Sequence, residues 1–245
     1  MGDLTFDFVC DSDYASLFGN DVGIKVWLTD TAPIGAAPGH QVPVWAEVLD
    51  KSCLWCTGLT GPDACRAACT YGVFGSAGLY DSTQPNFYLP VTNTIGLFRL
   101  KLFIDTLQFF RFVDCQDVAA YFAICNEAIG VPIVLSKVTA VSPGGQAGFR
   151  TNPLRGTGWS TYQPFDFAFH AQATSNGADA FDACAAQEKD IGGFFWDNPI
   201  PGWPRSMYWQ FYTYFWGGLA ANYPFYPGNN FLIPYWYDWT VIELV

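Results

Sequence analysis

The segment from Asp114 to Pro132 constrains the fold more than any other part of the chain, because it carries the signals for both ends of a helix. Asp114 is a favoured N-cap residue, and the residues after it give the pattern of an amphipathic helix. Gly130 and then Pro132 form a regular helix stop. The segment therefore predicts one helix, with Cys115 in its first turn.

Helical signals precede this helix and strand signals follow it. Apolar positions predict helices from about Pro43 to Cys56 and from about Asp63 to Phe74. After Ile133 the apolar period changes to two, and residues 175–177 suit a hairpin turn. Helices followed by antiparallel strands indicate an α+β domain. The predicted strands include residues 4–10, 23–29, 165–174 and 178–183.

Composition excludes several classes of partner. Half of the 245 residues are hydrophobic (51%) and only 13% are charged, which is typical of a globular protein. The formal charge of −11 argues against nucleic acid and against an anionic membrane surface. No apolar run approaches the ~18 residues of a membrane-spanning helix. We expect neither a nucleic-acid partner nor a membrane span.

Cysteine usage favours an exported protein. Eight cysteines are many for a cytosolic domain. Residues 1–3 have neither a basic region nor an apolar core, so this chain shows no signal peptide. The expected location is secreted or cell-surface, with a signal peptide already removed.

Four of the cysteines share one region with the spacing C-x2-C, eight residues, C-x3-C. Two cysteines one turn apart on each of two antiparallel helices would face each other across a hairpin. Nested disulfides Cys53–Cys69 and Cys56–Cys65 satisfy that geometry. A zinc site of four thiolates is the alternative, although zinc ribbons usually place such pairs on tight turns in more polar surroundings.

The other cysteines divide by position. Cys125 falls inside the predicted apolar helix and is expected in the core. Cys184 lies two residues beyond Asp182 on the same strand face, so it either approaches that residue or pairs with Cys10. Cys115 differs, because the positive end of a helix is one of the two standard means of lowering a thiol pKa.

An imidazole is the other means, and one is available downstream. His170 and Asp182 lie in strand-like runs after Cys115, in the order of a thiol catalytic triad. His170 would accept the thiol proton and later protonate a leaving amine, while Asp182 would fix the imidazole tautomer. The second histidine, His40, lies in a Pro/Gly loop and is interpreted as a surface residue.

The stretch from Cys115 to Gly130-Val131-Pro132, with His170-Ala171 and Phe181-Asp182 after it, resembles the transglutaminase-like superfamily of papain-like fold. The resemblance covers roughly residues 114–183. It implies an α+β core in which the nucleophile Cys115 begins a helix packed on an antiparallel sheet that carries His170 and Asp182. The chain departs from the family at two places: Gln172 stands where the family often has Trp, and Ala183 where it often has Pro.

Such a site also needs donors for the oxyanion that forms during attack on a carbonyl. The backbone N–H of Cys115 is the first candidate. Three side chains are candidates for a second donor: Gln108, Gln116 and Trp55. No metal and no cofactor is expected.

The chain beyond residue 190 is rich in Trp, Tyr, Pro and Gly. Its aromatic content is too high for a linker, and no long periodic run suggests an independent core. The expected organisation is a catalytic domain at residues 1–190 and an aromatic extension at residues 191–245 packed on it. An exposed part of that extension would contact another subunit or a polymer.

The predicted function is a cysteine enzyme that acts on a peptide or carboxamide bond through a thioester, by hydrolysis or acyl transfer, with a protein or peptide substrate. The alternative is a non-enzymatic extracellular module, structural, filament-forming or surface-binding, that keeps the fold and uses its aromatic region for assembly. A third hypothesis is a carbohydrate-binding protein, because Trp and Tyr side chains can stack on sugar rings.

Overall fold

The computed structural model describes Thr29 and most of the chain from residue 46 onwards. The described residues are 29, 46–81, 83, 88, 91–92, 95–107, 112–142, 145–187, 198–213, 233–238 and 240–243. The strand predicted at residues 4–10 lies outside them, as do Cys10, His40 and Gln108. Of the strand predicted at residues 23–29 only Thr29 is described, and it is not part of a strand.

Five helices and fourteen strands are defined within these residues. The helices are α1 (Ala46–Trp55), α2 (Pro62–Ser76), α3 (Leu100–Leu107), α4 (Cys115–Ala128) and α5 (Arg205–Thr213). The strands of the first half are β1 (Leu79–Tyr80), β2 (Val91–Thr92), β3 (Ile95–Phe98), β4 (Phe112–Val113), β5 (Val134–Ser142), β6 (Gly145–Ala147) and β7 (Phe149–Arg150). Those of the second half are β8 (Leu154–Gly156), β9 (Asp166–Phe167), β10 (His170–Ser175), β11 (Asp179–Gln187), β12 (Pro199–Pro204), β13 (Ile233–Asp238) and β14 (Thr240–Glu243).

A central antiparallel sheet organises the molecule, with strand order β12-β11-β10-β5-β13. Strand β6 pairs with β5 and β8 with β11, both antiparallel. The hairpin between β10 and β11 turns through Asn176 and Gly177, which both have positive φ (48° and 75°) as such a turn requires. The α+β class predicted from the sequence is confirmed at this level.

Helix α4 begins as the sequence predicts. The Asp114 carboxylate accepts the backbone N–H groups of Gln116 (2.8 Å) and Asp117 (2.9 Å). The Asp117 carboxylate in turn accepts the N–H of Asp114 at 3.2 Å, which completes a reciprocal capping box. This cap fixes Cys115 in the first turn, where orphan N–H groups converge.

The helix also ends where the sequence predicts. Gly130 has φ 77° and Val131 donates its N–H back to Asn126 at 2.9 Å, closing the last turn in the left-handed conformation that glycine tolerates. The carbonyl of Pro132 then accepts two bonds from the buried Arg66 of α2, at 2.8 and 3.1 Å. These bonds tie the exit of α4 to the helical layer.

Helices α4 and α5 cover opposite faces of the central sheet. The ring of Phe181 in β11 stacks on Phe122 of α4, with centroids 6.2 Å apart. The next residue, Asp182, accepts a hydrogen bond from Tyr208 of α5. Because consecutive strand residues point to opposite faces, the sheet lies between the two helices.

Helices α1 and α2 form the predicted hairpin beside α4. Trp55, the last residue of α1, packs on Gly72 of α2 so closely that a side chain at Gly72 would overlap the indole. Ser52 of α1 meets Cys125 near the far end of α4. The hairpin therefore supports the part of α4 remote from Cys115.

Two strands beyond residue 197 join the central sheet, while β14 pairs with β3 in a separate three-stranded sheet. Strand β12 pairs with β11, and β13 pairs with β5. Helix α5, which lies between these two strands in the sequence, donates a hydrogen bond from Tyr208 to Asp182. The predicted boundary at residue 190 lies outside the described residues. No helix within the described residues is both long and apolar enough to span a membrane.

Candidate active site

The structure brings two of the three predicted catalytic residues into direct contact. Nε2 of His170 lies 2.9 Å from Oδ2 of Asp182, and both side chains are fully buried. His170 opens β10 and Asp182 lies in the neighbouring β11, so the two-stranded hairpin itself sets their approach. The ring of Phe167 packs on the imidazole with centroids 5.0 Å apart.

The Asp182 carboxylate is held by three further groups. Oδ2 also accepts the hydroxyl of Tyr208 at 3.0 Å, and Oδ1 accepts the N–H groups of Cys184 (2.8 Å) and Ala185 (3.2 Å). A carboxylate with this many donors is held in place even without water. Sequence reasoning missed Tyr208, because one tyrosine in an aromatic-rich region carries no local signal.

Cys115 lies beside the same strand. The pairs between β10 and β11 run from Ala173 to Ser175, and β11 then turns away to pair with β8. At this opening a backbone hydrogen bond from Ala171 reaches the thiol of Cys115. Because His170 directly precedes Ala171 in β10, the imidazole projects from the opposite face of the strand, where it meets Asp182 and Tyr208. Among the described residues no hydrogen bond joins Nδ1 of His170 to the thiol of Cys115. The direct thiol–imidazole contact that a triad needs therefore stays a prediction.

The acidity of Cys115 differs from the expectation for a helix N-terminus. Burial raises the pKa of the Cys115 thiol far above its ordinary value, and the Asp114 carboxylate raises it further. The Ala171 hydrogen bond and the ammonium of Lys137 lower this pKa, but by less. Desolvation outweighs the helix dipole, so the resting thiol is protonated.

Lys137 is a further residue of the site that sequence reasoning missed. Its Nζ donates to Oε1 of Gln116 and lies 4.5 Å from the centroid of the Phe169 ring. A lysine as the one charged residue within residues 134–141 was the available signal.

These contacts bear on the predicted oxyanion donors. The side chain of Gln116 is held between Lys137 and the Asp114 carboxylate. Trp55 lies against Gly72, in the hairpin that meets the Cys125 end of α4. Gln108 lies outside the described residues. The backbone N–H of Cys115, in the first turn of α4, remains the simplest candidate.

Cys184 approaches the site, which is one of the two positions that the sequence allowed. Its Sγ, a ring nitrogen of His170 and a carboxylate oxygen of Asp182 all lie within 4.8 Å of one another. A metal ion among them would have to displace the hydrogen bonds of Asp182 to His170 and Tyr208. We therefore interpret the group as a hydrogen-bonded cluster rather than a metal centre.

The hairpin cysteines are arranged differently from the nested prediction. All seven described cysteines are thiols, and Sγ of Cys56 lies 3.8 Å from Sγ of Cys69. Cys56 also lies 3.7 Å from the carbonyl of Cys65, and a side-chain hydrogen bond from Cys65 reaches its thiol. Cys65 and Cys69 are one turn apart on one face of α2, so Cys56 lies over both and makes side-chain contacts with each. Within the described residues these thiols do not gather into a ligand group of zinc-site size.

Cys125 is a core residue, as predicted. It is fully buried within α4, and burial raises the pKa of its thiol to about 12. It therefore provides a matched reference for Cys115 on the same helix.

Comparisons with family models, with curated proteins and with solved structures give no match to this chain.

Proposed function

We propose that this protein is a transglutaminase-like cysteine enzyme, in which Cys115 attacks a peptide or carboxamide carbonyl and forms a thioester. The observation that carries this proposal is the buried His170–Asp182 pair, held at 2.9 Å on two strands against which the capped helix that begins with Cys115 packs. A transglutaminase-like, papain-like core is part of the same proposal. It is supported by the Gly130-Val131-Pro132 exit and by the two neighbouring strands that carry the imidazole and the carboxylate.

The carboxylate sets the state of the imidazole. Asp182 accepts at Nε2 of His170, so Nδ1 is the ring nitrogen that would take the thiol proton. When the ring becomes charged, the carboxylate stabilises it. Tyr208 and two backbone N–H groups keep the carboxylate in place during this step.

The raised pKa of Cys115 indicates the order of events. The thiol proton moves to His170 as the sulfur attacks the carbonyl carbon, rather than before substrate binds. The tetrahedral oxyanion is stabilised by the N–H of Cys115. Its collapse expels ammonia or an amine, which takes the proton from His170, and leaves a thioester. Water or a second amine then attacks the thioester and restores the thiol.

A second candidate function is supported by the burial of the site. His170, Asp182 and Cys184 are all fully buried, and burial keeps Cys115 protonated. A non-enzymatic extracellular module that retains the fold would use the same cluster as a core pair. Assembly into an oligomer or polymer through the aromatic C-terminal region belongs to this candidate.

Trapping the thioester distinguishes the two candidates. The purified chain is incubated with a glutamine-containing peptide and hydroxylamine, and both hydroxamate and released ammonia are measured. We expect product from wild type and from Cys125→Ser, and none above background from Cys115→Ser or His170→Ala. Product that is unaffected by Cys115→Ser would contradict the assignment of the nucleophile. No product from any glutamine or peptide donor, with all variants folded, would favour the non-enzymatic module.

A further inference from the structure

Lys137 lies in the row of residues that faces Cys115. In β5 it is paired with Ala171 of β10 on one side and with Tyr237 of β13 on the other. Directly opposed residues of antiparallel strands project from the same face, here the face covered by α4. Ala171 supplies the hydrogen bond to the Cys115 thiol, and Lys137 is therefore the next residue in that row.

Two contacts fix the ammonium near the first turn of α4. Nζ donates to Oε1 of Gln116, the residue after Cys115, and it lies 4.5 Å from the centre of the Phe169 ring. A cation over an aromatic face is attracted by the ring, which holds the ammonium in position. It therefore needs little further ordering when a negative charge forms nearby. These contacts hold the half-buried ammonium of Lys137 against Gln116, the residue next to the candidate nucleophile in the chain.

The surroundings of Cys115 are otherwise unfavourable to negative charge. The titratable groups that face it or its neighbours from the packed elements are Asp114 and Asp117 of α4, His170 of β10, Asp182 and Cys184 of β11, Tyr80 of β1 and Tyr237 of β13. Carboxylates raise the pKa of the thiol, whereas Lys137 lowers it. Burial in turn lowers the pKa of Lys137, and Cys115 and Asp114 oppose that change.

We propose that Lys137 is a positioning residue for Cys115: its ammonium offsets the surrounding carboxylates and holds Gln116, so that the sulfur can carry negative charge while it attacks a carbonyl. The catalytic meaning of this inference rests on the proposed function. Its electrostatic part does not, since it describes the thiol of the free protein.

Alkylation of the thiol in the full-length chain tests the proposal without a substrate. Rates of reaction with neutral iodoacetamide and with anionic iodoacetate are measured at the Cys115 peptide by mass spectrometry between about pH 6 and pH 10. The variants are Lys137→Met, Lys137→Arg and Lys101→Met, the last at an exposed lysine of α3 paired with Asp105. Circular dichroism reports whether each variant is folded.

We expect Lys137→Met to shift the alkylation profile to higher pH by about one unit, a roughly tenfold lower rate at a fixed pH. The iodoacetate-to-iodoacetamide ratio should fall as well, because the local cation is gone. Lys137→Arg should keep an alkylation profile and an iodoacetate-to-iodoacetamide ratio close to those of wild type. Lys101→Met should match wild type in both. A folded Lys137→Met protein with an unchanged profile and ratio would overturn the proposal.

If Lys137→Met does not fold, Lys137→Gln carries the test with the same expectations, since its amide can still bond to Gln116. Failure of the proposed function looks different. In that case wild type gives no hydroxamate, while the effect of Lys137 on alkylation persists. An effect of Lys137 on hydroxamate formation but not on alkylation would overturn the electrostatic role.

Discussion

Cys56 and Cys115 both lie at helix ends, yet the pKa of each thiol is shifted in the direction opposite to the one that the helix dipole favours. Cys56 directly follows the C-terminal end of α1, where the dipole disfavours a thiolate, but hydrogen bonds from Cys69 and Cys65 lower its pKa to about 7 against the opposing effect of burial. Cys115 begins α4, where the dipole favours a thiolate, but burial raises its pKa. The dipole contributes about 0.3–1 kcal/mol, less than one pKa unit, whereas burial moves a pKa by several units.

The difference teaches that the most ionised thiol of a protein need not be its nucleophile. Cys56 is half-buried and has a thiol donor beside it, so it carries the negative charge near neutral pH. Cys115 depends on the imidazole, on Lys137 and on the arriving substrate. Three measurements would break or sharpen this comparison.

The largest effect is expected in the labelling of the two thiols. At about pH 7 iodoacetamide should modify Cys56 faster than Cys115 by on the order of a thousandfold, because only the thiolate reacts. The Cys56 rate should rise as pH passes through about 7 and then level off, since its depressed pKa makes it fully ionised above that value. Cys125, with a pKa of about 12, should stay as slow as Cys115. Equal rates at Cys56 and Cys115 would break the comparison.

The next effect concerns the pair on which Cys115 depends. Asp182→Ala should lower the free energy of unfolding by about 3 kcal/mol, because it leaves His170, Tyr208 and two N–H groups without their buried acceptor. Urea denaturation gives the value. Asp166→Ala, at a carboxylate with 53% of its side chain exposed, should change stability by less than about 0.5 kcal/mol. A similar loss of unfolding free energy in Asp182→Ala and Asp166→Ala would argue against the claim that the hydrogen-bonded Asp182 carboxylate stabilises the site.

The smallest effect is expected at the thiol pair itself. Cys69→Ser weakens the hydrogen bond that is the main cause of the low Cys56 pKa, so that pKa should rise by about one unit and alkylation of Cys56 near pH 7 should slow about tenfold. Cys53→Ser, on α1, is the matched control and should leave the Cys56 rate close to wild type. An unchanged Cys56 rate in Cys69→Ser would assign the acidity to another cause.

Sequence reasoning succeeded where the determining signals are local. The cap at Asp114, the stop at Gly130 and the hairpin turn at residues 176–177 each depend on neighbours within about four residues, and each lies where it was expected. The order of His170 and Asp182 on adjacent strands also follows from that turn. Their contact needs only two strands and one correct register.

It failed where distant parts of the chain meet. Tyr208 bonds Asp182 across 26 residues, and Lys137 bonds Gln116 across 21. No periodicity encodes either contact. The low acidity of Cys115 was missed for the same reason, because desolvation depends on what packs over a residue and not on its position in a helix. The predicted pairing of Cys56 with Cys65 was wrong because it depends on how the two helices are rotated about their axes. In the structure the thiol of Cys56 lies against that of Cys69.

The pairing of β5 with β13 has a consequence for synthesis. Residue 233 pairs with residue 141, so a ribosome adding about 5–20 residues per second completes β13 roughly 5–20 seconds after β5. During that interval the nascent chain carries β5 with one unpaired edge, which is a template for mispairing with other chains. Charged residues, lysine above all, are a common defence of such edges. Lys137 stands near the middle of β5, where a charge disfavours such mispairing until β13 covers the edge.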